Sequence, residues 1–328
     1  MEFLLLISQN ILSPAILFFA LGIAAGFAKS DLEVPDSISR YLSIYLMMAI
    51  GFKGGVAIAN THELSGEVIA VIGAGFAVGF LQPFLAYGLL RLTSKLDIPT
   101  AAAVAAHYGS ISMVTFATAA AFLKTNEVVY AGYIVAILAL MEAPAILSGL
   151  FIAHRASPQT KHINEENKLA REIFTNGAIL LLSGAFLIGW ITGQSGMDKV
   201  EGFLSTPFQG ILCLFLLDMG LLVAKNLHHL KSFTWLLVLF CIYMPLIGAS
   251  IGLFASRMIG LDVGTGTLFT VLCASASYIA VPAAMRLALP EAKAAIYLPM
   301  SLAVTFPFNV TLGIPLYFAL AGKLLLNR

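Results

Sequence analysis

A chain of 328 residues in which 59% are hydrophobic and 11% charged, with a mean hydropathy of +0.93, is too apolar for a water-soluble domain and belongs in a bilayer. The formal net charge of +1 excludes the basic excess that a nucleic acid or an anionic lipid surface would demand. Apolar runs of roughly 20 residues recur where a β-barrel would show short alternating segments, so the fold class is all-α integral membrane.

The N-terminal MEFLLLISQN has no basic n-region and reads as mature sequence. Charge, Gly and Pro then punctuate about ten predicted transmembrane helices: 11–29, 37–58, 66–91, 99–123, 127–154, 174–194, 203–225, 232–259, 264–289 and 293–321. The second contains Lys53, a basic residue in mid-span within GFKGG, and the fourth contains His107, Ser110, Ser112 and Thr115. In the fifth, Glu142 directly precedes the Ala143-Pro144 pair. A polar connector follows, with a cytoplasmic linker at 156–173, and it divides the chain into a first half, 1–155, and a second, 174–328. Asp218 lies deep in the seventh span. The ninth carries Ser275 and Ser277 ahead of the helix-breaking Pro282, and the tenth carries Asn309. The three cysteines, Cys213, Cys241 and Cys273, sit singly in apolar runs and read as small packing residues.

With ten spans, twelve lysines and arginines from Lys29 to Lys293 fall on the side of the linker, against Lys124, Lys199, Arg257, Lys323 and Arg328 on the other. That bias predicts a cytoplasmic linker and both termini outside the plasma (inner) membrane.

Sliding the sequence by 165 positions lays Ser110-Ile111-Ser112 on Ser275-Ala276-Ser277 and, without a gap, LALMEAPAIL (138–147) on AVTFPFNVTL (303–312). Five spans is an odd number, so the halves would lie upside down to one another as two inverted five-helix repeats. Such repeats give a transporter two equivalent ways to lean around a midplane site, commonly built from interrupted helices. The serine pairs, with Pro282 beside the second, mark where those interruptions are expected.

Glu142 and Asp218 are costly in a membrane, and function is the first hypothesis for each: Glu142 beside a coupling ion, Asp218 in gating or structure. Lys53 is a candidate partner for Asp218, or a source of positive charge for an anion site. His107 is a candidate proton carrier against a packed, hydrogen-bonded histidine. Asn309 aligns with Pro144 and is expected at a discontinuity of the tenth span. His228 and His229 read as solvated surface. No phosphate loop, nucleophile elbow or metalloprotease motif is present, so neither an enzyme nor an ATP-driven pump is indicated and no cofactor is expected.

The order and spacing of GFKGGVAIA (51–59), YGSIS (108–112), MEAPAIL (141–147), SASYIAVPAAMRLALP (275–290) and IPLY (314–317) resemble the sodium-dependent bicarbonate transporters first described in cyanobacteria. The resemblance implies a fold similar to the bile acid sodium symporters, with a core domain of crossed, broken helices and a gate domain beside it. It implies a homotrimer and, in some members, a PII-like cytoplasmic regulator. By the same resemblance bicarbonate belongs to Ser110, Ser112, Thr115, Ser275 and Ser277 with Tyr278 beside them, and the coupling sodium to Glu142, Ser112 and Ser277. The chain departs from the cyanobacterial pattern at Ala276 and Tyr278, where those members carry a richer serine run and an Asp, and at Met113 and Val114. The expected function is a sodium-coupled bicarbonate symporter. The alternatives are a sodium- or proton-coupled carrier of a small organic monocarboxylate, which the altered pocket at Tyr278 would suit, and a non-transporting anion sensor on the same scaffold.

Overall fold

The structure, a computed structural model, describes residues 2–60, 66–156, 177–227, 233–279, 281, 282, 285 and 289–326. Beyond Ala156, the linker expected at 156–173 lies outside the described residues, as do His228 and His229. The described secondary structure is helical: α1 (Glu2–Ile11), α2 (Pro14–Phe27), α3 (Asp36–Ala59), α4 (Gly66–Thr93), α5 (Ile98–Gly109), α6 (Met113–Thr125), α7 (Ile134–Ala156), α8 (Gly177–Leu204), α9 (Phe208–Asn226), α10 (Trp235–Ile259), α11 (Val263–Cys273) and α12 (Ala294–Leu325). Among the described residues six stretches are long and apolar enough to cross a bilayer: α3, α4, Leu180–Leu204 of α8, α9, α10 and α12. The protein is thus a multi-pass membrane protein. The helices α2 and α11 are apolar but shorter, at 14 and 11 residues.

Two boundaries differ from the sequence expectation for local reasons. The predicted span 11–29 starts at Pro14 because Ser13 caps α2, its hydroxyl accepting the Ile16 N–H at 3.4 Å, while residues 2–11 form a separate helix. The sixth span does not stop at 194: α8 turns at Gly193 (φ 57°, ψ −150°) and continues to Leu204. The helix α7 runs through Pro144 without interruption.

Two sets of helices pack around the broken segments. In one, α3 lies along α8 and α2 along α9. Both contacts depend on glycine: a methyl group at Gly55 would run into the Phe186 carbonyl oxygen, and one at Gly220 into that of Phe19. In the other set, α4 packs on α5 and α7, and α10 on α11 and α12. Ala101 to Ala106 of α5 are fully buried, so that helix is held in the protein interior on every side.

Two half-helices start from matching caps. Asp97 accepts the Thr100 N–H at the start of α5 and Asp262 that of Thr265 at the start of α11, each at 2.9 Å. The two pairs are separated by the same 165 positions that superimpose the serines. The helix α12 contains two π-helical stretches, Met300–Thr305 and Asn309–Gly313. Asn10 of α1 reaches into the second, its amide donating to the carbonyls of Val310 at 2.8 Å and Thr311 at 3.0 Å.

Candidate functional site

The fourth predicted span is interrupted at its serines. After Gly109 the backbone is extended at Ser110 (φ −96°, ψ 178°) and Ser112 (φ −111°, ψ 111°), and α6 begins at Met113. Ser112 caps α6: its hydroxyl accepts from the Thr115 backbone N–H at 3.2 Å and from the Thr115 hydroxyl at 2.9 Å. In the ninth span α11 stops at Cys273, residues 275–277 are non-helical, and helical conformation resumes at Val281 and Pro282. The Ser277 hydroxyl there accepts the Val281 N–H at 3.3 Å. Ser112 thus caps α6 from the position just before it, while the second interruption runs on through Ile279 and Ser277 bonds ahead to Val281.

A broken helix buried in protein strands carbonyls at its C-terminal end, and each needs a donor. Gln82 of α4 supplies two at once, its amide nitrogen lying 2.5 Å from the Tyr108 carbonyl oxygen and 2.8 Å from that of Cys273. Ser277 donates its backbone N–H to the His107 carbonyl at 2.9 Å. Asn309 donates to the Ala274 carbonyl at 2.9 Å and accepts from the Tyr317 hydroxyl at 2.8 Å. Thr305 gives its proton to the Cys241 carbonyl at 2.8 Å, so the Tyr108 hydroxyl donates to Thr305 at 2.6 Å. These bonds tie the two interruptions to α4, α10 and α12.

Between the interruptions and the α3–α8 pair lies a small cavity, where the centre of a water-sized sphere has about 20 Å³. Ser112, Ser277, Tyr278 and Glu142 supply its polar wall, and Met47 of α3 and Leu182 of α8 close the facing side. Tyr278 lies near Ser112 without reaching hydrogen-bond geometry. Chemically the cavity offers the capped start of α6, whose partial positive charge suits an anion, with the Ser277 hydroxyl facing it, beside a carboxyl group suited to a cation.

The remaining sequence candidates lie elsewhere. Thr115 is committed to Ser112. Ser275 donates back to the Val271 carbonyl at 2.6 Å, the ordinary role of a serine in a spanning helix. The Ser110 hydroxyl is buried without a partner among the described residues and does not line the cavity. His107 is fully buried, with Nδ1 2.6 Å from the Ala103 carbonyl oxygen and its ring centroid 4.7 Å from that of Tyr297. Lys53 and Asp218 are not paired: the ammonium sits 4.5 Å over the Phe208 ring, while Asp218 lies near Ser39 and Lys225. Sequence reasoning missed Gln82 and Asn10. Gln82 is a lone amide in an apolar run, a signal for function, whereas Asn10 stands beside Ser8 and Gln9 and carries no such signal.

The description of one protein family, the Na+-dependent bicarbonate transporter superfamily, matches residues 14–322, and the chain belongs to that superfamily. No curated protein matches the chain in sequence. Membership makes the protein a membrane transporter, in a family whose solutes are an anion, bicarbonate, and sodium.

Proposed function

We propose that this member of the superfamily is a sodium-coupled bicarbonate symporter that works by alternating access, with the anion held between Ser112 and Ser277 and sodium coupled through Glu142. The observation that carries the reading is that Ser112 at the start of α6 and Ser277 in the second interruption line one cavity with a carboxyl group in its wall. A planar monovalent anion can be held by hydroxyls and amide N–H groups without a full positive charge. Moving it inward against a negative-inside potential costs about 2.3 kcal/mol per 100 mV, which one accompanying sodium cancels.

The two inverted five-helix repeats belong to this proposal. The matching caps at Asp97 and Asp262 support them, as does the packing of α2 on α9 and of α3 on α8. An exchange of the halves that carries the first span onto the sixth and the second onto the seventh turns one of these helix pairs into the other. Placement in the plasma membrane with the termini outside, a homotrimer and a PII-like regulator enter through the charge bias and the resemblance.

The test is uptake of labelled bicarbonate into proteoliposomes under an imposed inward sodium gradient. Uptake that needs sodium is expected. Binding without uptake would replace the symporter with an anion sensor, and uptake that follows pH without sodium would make the coupling ion a proton. The apolar half of the wall, with Met113 and Leu138, favours one second reading, a short organic monocarboxylate. Competition by such acids at lower concentration than bicarbonate would establish it.

A further inference from the structure

A larger cavity, of about 420 Å³, lies beyond the first. The same three helices line both: α3 runs from Met47 to Lys53, α6 from Met113 to Lys124, and α7, running the other way, from Leu138 to Val135. From Met113 to Lys124 the rise is about 16 Å, so the second cavity sits over the first toward one membrane face. Phe116, buried in the wall of the larger cavity, is one turn along α6 from Met113 in the smaller one.

Two ammonium groups share this space. Lys53 is half-buried against the Phe208 ring, and Lys124 stands exposed in the last turn of α6, near enough for its charge to bear on Lys53. Among the described residues neither lysine forms an ion pair. The acidic residue in the wall is Glu127, which leaves the cavity with an excess positive charge. Holding two like charges close together in a concave, partly apolar space costs free energy, and a bound anion relieves that cost.

We propose that this cavity is an anion-gathering vestibule, a second and transient binding station for a small monovalent anion at Lys53 and Lys124, on the same route as the Ser112–Ser277 cavity. Its place on a transport route rests on the function proposed above; its capacity to gather anions does not.

Two measurements separate these claims. In a C213S background, Ala120→Cys places a thiol in the vestibule wall, and its labelling by an anionic and by a cationic methanethiosulfonate of similar size gives a rate ratio. Normalised to the same ratio on a free thiol, it favours the anionic reagent about tenfold, falls to one or below in K53Q/K124Q, where Glu127 is left alone, and rises in E127Q. Misfolding would also flatten the ratio, so K53R/K124R, which keeps both charges, serves as the control and should retain the preference. A normalised ratio that K53Q/K124Q leaves unchanged, or one that favours the cation while both lysines are present, overturns the vestibule. In proteoliposomes K53Q/K124Q raises the KM for bicarbonate several-fold and leaves the saturated rate unchanged. A lost labelling preference with an unchanged KM overturns the station's place on the route. Should the natural chain take up no bicarbonate, the function fails while the labelling ratio still decides whether the vestibule gathers anions.

Discussion

Asp97 and Asp262 make the same hydrogen bond at the starts of two half-helices whose far ends meet at Gln82. The threonine beneath each cap then reaches into the other half of the chain. Thr100 Oγ1 accepts the Lys293 N–H at 3.1 Å, and Thr265 Oγ1 accepts the Ala131 N–H at 2.8 Å. Cap and cross-link together fix where each half-helix enters and how deep it goes.

Asp97 should make stability depend on acid. Burial pushes its carboxyl up, but Thr100 and the Lys293 ammonium, 3.0 Å away, outweigh that and hold it below the usual carboxylate range. A group lowered in this way contributes stability that is complete above the unfolded value of about 4 and is lost as pH falls through the folded value. D97A should cost about 1 kcal/mol at neutral pH. D97N should cost less, because asparagine still caps and an exposed ion pair adds little. Thermal unfolding in detergent should show the D97A deficit constant from about pH 8 to pH 5 and shrinking below about pH 4. A deficit that grows with acid would contradict the assignment.

The four serines divide by what their hydroxyls do. S112A and S277A each remove a hydroxyl that accepts a backbone N–H and lines the cavity wall, and the KM for uptake should rise about tenfold, equivalent to about 1.4 kcal/mol. S275A removes only a bond back to Val271, so its uptake curve should overlay that of the natural chain. Equal effects at Ser275 and Ser277 would place the anion elsewhere.

Glu142 has an apolar setting and faces the cavity. E142Q preserves its shape and removes the charge available to a cation. Half-maximal uptake should then require at least about tenfold more sodium, with anion competition unchanged. If the sodium dependence stays put and the pH dependence moves, the carboxyl handles a proton.

Q82L tests the joint between the interruptions. It strands the carbonyls of Tyr108 and Cys273 in a dry interior, at roughly 1–3 kcal/mol each. The unfolding temperature in detergent should drop by several degrees and uptake should fall with it. Full stability in Q82L would mean that another donor replaces the amide.

The interruptions were legible because sequence chemistry marks them: paired serines with a proline just after the second pair. The Asp-x-x-Thr caps were equally visible in kind, at positions the 165-residue shift connects, and went unread because a single aspartate at a span edge looks like ordinary interfacial charge. Which serines face the cavity was not legible. Ser275 bonds back to Val271 on its own helix while the Ser277 backbone N–H is held by His107 from the other half, and that long-range bond exists only after folding. Gln82 was hidden for a related reason, since a glutamine's worth depends on carbonyls that come near it only after folding. The expected Lys53–Asp218 pair does not form: the Lys53 ammonium lies over the Phe208 ring, and Asp218 lies near Ser39 and Lys225.

The two π-helical stretches of α12 have a mechanical consequence. A wide turn houses roughly one residue more than an α-helical turn while leaving the flanking coils in step. Excising one residue within 300–305 or 309–313 would therefore let the coil tighten with its two ends still aligned. The same excision in the regular α3 would swing everything downstream by about 100°. The final helix thus carries winding slack, and Asn10 of the first helix, bonded to Val310 and Thr311, is the peg that keeps it from being drawn out.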